Sequence, residues 1–135
     1  MEEKSVKNTF KKSERLTSKI SMEKIFEAGL TIKKFPLILK YNWVDFEDKQ
    51  PLKVVISVPK RRIRKAHDRN RIRRQLKEAY RLNRLPLKSS LSEQSKSLAL
   101  FFIYSGKENP DYKVIEEKIQ LLLKELMKVY PKPSN

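Results

Sequence analysis

Residues 52–81, LKVVISVPKRRIRKAHDRNRIRRQLKEAYR, run from an alternating apolar segment through a basic connector into a basic helix, and their reading decides the fold. Leu52, Val54, Ile56 and Val58 point one way and Lys53, Val55 and Ser57 the other, the period of a strand. From Arg69 the period changes. Ile72, Leu76, Ala79 and Tyr80 recur at helical spacing as a narrow apolar stripe. Asn70, Arg74, Lys77 and Arg81 fall opposite it, and Arg71 and Arg73 flank it. Asp68 is a good N-cap residue, so the helix is expected to start there. Its first turn then offers free N–H groups beside Arg69, Asn70 and Arg71, which suits a phosphate.

Between Lys60 and Arg81, eleven Lys or Arg stand against two acids, Asp68 and Glu78. That is +9 (eleven minus two) of a formal net charge of +16 over 135 residues. Like charges this dense oppose folding, and a polyanion would relieve them. A solvated helix face usually alternates its signs, and this one does not. A guanidinium binds phosphate by two parallel hydrogen bonds, a reason for Arg to outnumber Lys here. The pI near 10 points to nucleic acid or an anionic membrane. The stripe is too narrow, and too poor in bulky aromatics, for a membrane binder, so nucleic acid leads.

The length fits a single domain over 1–135 with a modest core. There is no cysteine, hence no disulfide and no thiolate metal site. No apolar run approaches membrane-spanning length and no signal peptide is visible, so a cytoplasmic protein is the default. Residues 1–16 read as an extended basic arm, with Phe10, Lys11, Lys12 and Arg15 as contact residues. A short helix capped by Thr17 or Ser18 runs to Ala28, with Gly29 at a left-handed C-cap position. On that helix Ile25 reads as core. Met22 and Phe26 read equally as core or as a floor on which nucleobases stack.

Residues 35–44 and 52–58 read as strands joined by a hairpin turn, DFEDKQP. The turn's Asp45, Glu47 and Asp48 are better read as a solvated loop than as a magnesium site. Residues 98–104, LALFFIY, form a near-continuous apolar run, as a central strand would. Asp111 to Tyr130 is an amphipathic helix with Ile115, Ile119, Leu122, Leu126 and Val129 on one stripe. Residues 85–97 read as a mobile Ser-rich linker and 131–135 as a frayed tail. The sum is an α+β two-layer sandwich, a small sheet with helices on one face.

No catalytic constellation is visible. Two glycines cannot make a phosphate-cradling loop. The single histidine, His67, lies inside the basic stretch, without a cysteine or a second histidine to make a nucleophile–base pair or a zinc site. His67 reads as a hydrogen-bonding partner for RNA or a helix-capping residue. No catalytic residue and no metal ligand is assigned.

The run Arg69-Asn70-Arg71-Ile72-Arg73-Arg74, preceded by Ile56-Ser57-Val58-Pro59-Lys60-Arg61 and Ala66-His67, resembles the signature of the protein subunit of bacterial ribonuclease P. Arg15-Leu16, then Ile25-Phe26 before Gly29, also matches the family's spacing. The resemblance covers roughly residues 10 to 104. It implies a ribosomal protein S5 domain 2-like α+β sandwich, element order α-β-β-(β)-α-β-α, with the basic helix in a left-handed βαβ crossover. It implies a holoenzyme that removes the 5′ leader from precursor tRNA, with catalysis by an RNA subunit and its Mg2+. The protein itself would bind no cofactor.

Carried over by position, the catalytic RNA would be contacted by Lys60, Arg61, Arg62, Arg64, Lys65, His67, Arg69, Asn70, Arg71, Arg73, Arg74 and Lys77. The leader would lie on the sheet face and first helix, against Lys12, Arg15, Met22, Phe26, Tyr41, Val55 and Ser57. This chain departs from the pattern in having Met22 where Phe is common, Pro59 for a small residue, and Arg62 and Arg64 in a connector that is often less basic. The implied partners are the catalytic RNA and precursor tRNA, not DNA and not a membrane. A ribosomal or RNA-chaperone protein would share the charge and the fold. A helix-turn-helix DNA regulator would need a second short helix where Leu52–Val58 reads as strand.

Overall fold

The computed structural model describes residues 19–27 and 29–129. The extended arm and the frayed tail expected from the sequence lie outside them. In chain order the elements are α1 (Lys19–Glu27), β1 (Leu30–Lys34), β2 (Leu37–Trp43), β3 (Leu52–Ser57), α2 (Ala66–Asn83), α3 (Leu85–Glu93), β4 (Leu98–Tyr104) and α4 (Tyr112–Val129). The fold is α+β, built on a mixed sheet of order β1-β2-β4-β3.

β4 takes an inner position because both its faces are apolar. It pairs antiparallel with β2, Tyr41 opposite Leu100, and parallel with β3, Val54 opposite Leu100. The hairpin expected between β2 and β3 does not form. β4 lies between them, and residues 45–51 instead cross the end of the sheet. Val44 N donates to Ser97 O and Leu98 N to Pro51 O, which ties that crossing segment to the start of β4. Phe46 is buried under it, and Lys53 reaches back to Asp48 at 2.8 Å. The β1–β2 turn at Phe35–Pro36 contains a cis peptide bond.

Alternation sends Leu37, Leu39 and Tyr41 of β2, Leu52 and Val54 of β3, and Leu98, Leu100 and Phe102 of β4 into one core. The same core receives Ile72, Leu76, Ala79 and Tyr80 of α2 and Ile115, Ile119, Leu122 and Leu126 of α4. Each buried Leu or Ile contributes about 1.5–3 kcal/mol relative to exposure. Tyr80 meets Phe102 edge-on at 5.8 Å between ring centroids, a favoured aromatic geometry.

The segment read as a linker is partly helix. α3 opens with Pro86 in its first turn, where the missing N–H costs nothing, and buries Leu87 and Leu91. Serines between those two leucines disguise an i, i+4 pair. The helices also do not all share one face. α1 lies opposite the others, because Asn42 Nδ2 donates to Ile25 O at 2.7 Å and Phe26 packs at a tilt against Phe101. Asn42 and Phe101 point away from Tyr41 and Leu100.

Gly29 has no positive φ, so it is not the left-handed cap expected at that position. Its value is clearance. A Cβ there would stand 2.8 Å from the carbonyl oxygen of Tyr41, where α1 turns onto the sheet. Gly→Ala at a compatible, roomy position stabilises by about 0.4–1 kcal/mol, whereas overpacking costs about 1–3 kcal/mol. Gly29→Ala should therefore destabilise by about 1–3 kcal/mol in urea unfolding. A variant as stable as the parent would mean that α1 shifts freely.

Candidate nucleic-acid interface

The connector after β3 is built on two anchors. Pro59 O accepts from Arg62 N and Ile63 N, closing a turn, and Ile63 is buried in the core. Arg69 Nη1 then donates to Ile63 O at 3.0 Å and to Arg64 O at 2.7 Å. Between these anchors Lys60, Arg61, Arg64 and Lys65 stand exposed. α2 begins at Ala66, ahead of the start expected at Asp68. Lys65 is its N-cap, makes no side-chain cap bond, and gives its carbonyl to Arg69 N at 3.0 Å. Asp68 sits in the first turn, where a carboxylate favours the helix dipole.

Along α2 the buried seam leaves Asn70, Arg71 and Arg74 exposed and Arg73 and Lys77 half-exposed. Asn70 Oδ1 accepts from Arg73 Nη1 at 2.8 Å, which fixes one guanidinium beside the exposed row. Among the described residues, none of Lys60, Arg61, Arg64, Lys65, Arg71 and Arg74 has a carboxylate within ion-pair distance. Arg81, by contrast, donates to Glu78 at 2.7 Å, and that hydrogen bond holds the Glu78 carboxyl below its ordinary range. The free charge is thus concentrated on the connector and the first half of α2. Arg62 is turned from that row into a cleft with Phe35, Pro36 and Tyr104. His67 is 82% exposed, with Nδ1 3.9 Å from Asp68.

The second surface is the sheet face not covered by α2 and α4. Cross-strand register places Val55 beside Phe101 and Phe101 beside Lys40, in one row. Ser57, Ile103, Ile38 and Lys33 make the next row. Val55, Ser57, Phe101, Ile103, Ile38 and Lys40 are each partly accessible. Phe26 of α1 lies over Phe101 with ring centroids 5.2 Å apart and planes 44° apart. Met22 is half-exposed on the same helix. The arrangement is an aromatic and aliphatic floor edged by lysines, which suits stacked bases with phosphates at the margin.

Tyr41 is not part of that floor. It is 5% exposed and packs with Leu37 and Leu39 in the core. Burial, with Glu125 nearby, raises its hydroxyl above the usual tyrosine value. Side chains alternate along β2, so Lys40 takes the open face that the sequence reading gave to Tyr41. Val55, Ser57 and Phe26 do gather on the open face, and Met22 stands one helical turn before Phe26 on α1. Lys12 and Arg15 lie outside the described residues. Sequence reasoning missed Lys40, Phe101 and Ile103. The last two were hidden because LALFFIY reads as uniformly apolar, although alternation from Leu98 would have separated them.

The described residues contain no group of three or more His, Cys, Asp or Glu placed to hold a metal ion. Asp45 pairs with Lys49 and Asp48 with Lys53. No described helix is long and apolar enough to cross a membrane.

Comparison with known proteins agrees with this geometry. The family model described as ribonuclease P matches residues 10–127. A ribonuclease P protein component of Porphyromonas gingivalis is 32% identical over 109 residues, covering 81% of this chain and 80% of the relative. One from Chlorobaculum tepidum is 28% identical over 129 residues, covering 89% of this chain and 84% of the relative. The solved RNase P protein of Staphylococcus aureus superposes with a TM-score of 0.65 at 16% identity, covering 89% of this chain and all of that one. That of Thermotoga maritima gives 0.64 at 22% identity, covering 83% and 96%. At such identities the superpositions speak for the fold, while the family match and the relatives speak for descent. The chain belongs to the ribonuclease P protein family.

Proposed function

We propose that this chain is the protein component of a cytoplasmic ribonuclease P holoenzyme that removes the 5′ leader from precursor tRNA. It binds the catalytic RNA through the connector and α2, and the single-stranded leader through the open sheet face. The observation that carries this reading is Phe26 packed at a tilt against Phe101 beside Lys40, on a face adjoining an uncompensated basic connector. Phosphate contacts give affinity without sequence information, and aromatic stacking tolerates any base. A leader of variable sequence requires that combination. Phosphodiester hydrolysis belongs to the RNA subunit with its Mg2+. This chain supplies binding, orientation and charge neutralisation. Lys60, Arg61, Arg64, Lys65, Arg71, Arg74 and Lys77 meet phosphates, Arg73 does so in the orientation set by Asn70, and His67 hydrogen-bonds at the margin.

The direct test is cleavage of a precursor tRNA by a bacterial ribonuclease P RNA at low Mg2+, with and without the protein. Leader removal should appear when the protein is added. Binding to both RNAs without any gain in cleavage would reduce the chain to a general RNA-binding protein on the same fold.

Two substitutions separate the surfaces. Arg74→Ala should weaken binding to the catalytic RNA and flatten the plot of log affinity against log salt by about 0.9 in slope, the value for one lost phosphate contact. An unchanged slope would place Arg74 against solvent in the complex. Phe26→Ala should reduce the preference for leader-bearing precursor over mature tRNA by about 1–3 kcal/mol, the worth of one stacked base. Equal losses for both RNAs would remove the leader from this face. Within β2, Lys40→Ala should lower the same preference and its salt dependence, while Tyr41→Phe should change neither. The reverse pattern would put the leader on the other face of the sheet.

A further inference from the structure

We propose that Arg69 is a positioning residue, which acts on RNA through the connector rather than by touching phosphate itself. This rests on the reading of α2 and its connector as the RNA-binding surface. The first arginine of the Arg69-Asn70-Arg71 block directs Nη1 back along its own chain, onto the carbonyl oxygens of Ile63 and Arg64. Arg69 is half-buried, whereas Asn70 and Arg71 are exposed. The two carbonyls it holds belong to the stretch that displays Lys60, Arg61, Arg64 and Lys65.

The local chemistry explains why such a clamp is present. Lys65 provides no side-chain cap for α2, so the chain entering the helix lacks its usual polar fastening. Ile63 fixes one point of the connector in the core. The residues that follow, Arg64 and Lys65, are pushed outward by their own charge and that of Arg61. Arg69 N on Lys65 O and Arg69 Nη1 on Ile63 O and Arg64 O make one residue the fastening for three successive carbonyls. A neutral side chain would do this at less electrostatic cost to the free protein. A cation does it without subtracting from the field that a polyanion feels, and the guanidinium carries Nη1, with its two N–H groups, one bond further from the backbone than a lysine ammonium would stand.

Arg69→Lys separates the two roles because it keeps the charge, and keeps a tryptic site, while drawing the donor nitrogen back by one bond from the two carbonyls. In the free protein, limited trypsin digestion read by mass spectrometry should show cleavage after Arg61, Arg64 and Lys65 accelerating about tenfold, the scale of losing such hydrogen bonds. Circular dichroism would report an intact helix content. Arg69→Met, which keeps the stem and drops the donors, should loosen the same bonds and serves if the lysine variant folds poorly. Against a bacterial ribonuclease P RNA, Arg69→Lys should bind about tenfold more weakly. Its salt slope should fall by roughly two units, more than one phosphate contact is worth.

A lysine variant with the parent's salt slope would overturn the proposal and make Arg69 a direct phosphate contact. An unchanged tryptic pattern in both variants would overturn it too, because the connector would then hold its shape unaided. If the unsubstituted protein failed to bind the RNA, the functional reading would fall, while the tryptic comparison would still decide whether Arg69 is a clamp.

Discussion

Leu98, Leu100 and Phe102 are sealed against helices, while Phe101 and Ile103, their immediate neighbours, stay partly open on the other side of the sheet. One strand has to close the core on one face and carry a partly open apolar row on the other. The period of two makes that possible, and it leaves no slack: a slip of one residue would bury Phe101 and expose Phe102. Pairing on both edges removes the freedom to slip. β2 fixes Phe101 against Lys40, and β3 fixes it against Val55. The arrangement of β2, β3 and α1 around that row follows from where β4 sits. So does the need for residues 45–51 to cross the end of the sheet instead of turning back as a hairpin.

The second constraint is electrostatic. α2 keeps a strip of four residues, Ile72, Leu76, Ala79 and Tyr80, as its buried seam. Around that strip it carries cations whose mutual repulsion acts within a Debye length of about 10 Å at 0.1 M salt. The seam is well filled, every member being inaccessible to solvent. Compensation is graded along the helix. Its C-terminal half pairs Arg81 with Glu78, and its N-terminal half leaves Arg71 and Arg74 without an acid among the described residues. The acid of the N-terminal half, Asp68, lies 3.9 Å from His67 and reaches neither arginine. The gradient leaves the N-terminal end as the one where a polyanion would complete the balance.

Those two features were legible in the sequence to different degrees. The seam of α2 and the stripe of α4 follow from periodicity, because each is long and regular enough for its spacing to outweigh composition, and the span of β4 follows from its unbroken apolar run. Failures came where a local rule had a competitor. FPLILKYNWV alternates imperfectly, and the resemblance put Tyr41 on the leader face by position, yet the core claimed Tyr41 and left Lys40 outside. Leu87 and Leu91 were masked by the serines around them. Asp68 looks like a cap, but the helix had already begun at Ala66, with the connector fastened by Arg69 instead. Gly29 looks like a left-handed terminator, whereas its role depends on the carbonyl of Tyr41, a neighbour made by the sheet and not by the sequence. Pairing order was the hardest of all, since nothing in β2 or β3 announces that the strand between them comes later in the chain.

The two surfaces meet at one place in the chain. Ser57 ends β3 on the open face, Val58 dives into the core, and Lys60 begins the exposed connector. Three residue steps of extended chain cover at most about 10 Å. A single strand leaving the open face past Ser57 would therefore arrive directly at the cations of the connector. Under the proposed function this junction has a physical consequence. The leader does not need a separate charged channel, because the field of the connector already reaches the end of the stacking floor. Stacking sets where the leader lies, and the connector draws its phosphates the rest of the way. The shape of the connector, more than its net charge, then governs whether leader and catalytic RNA are held in register.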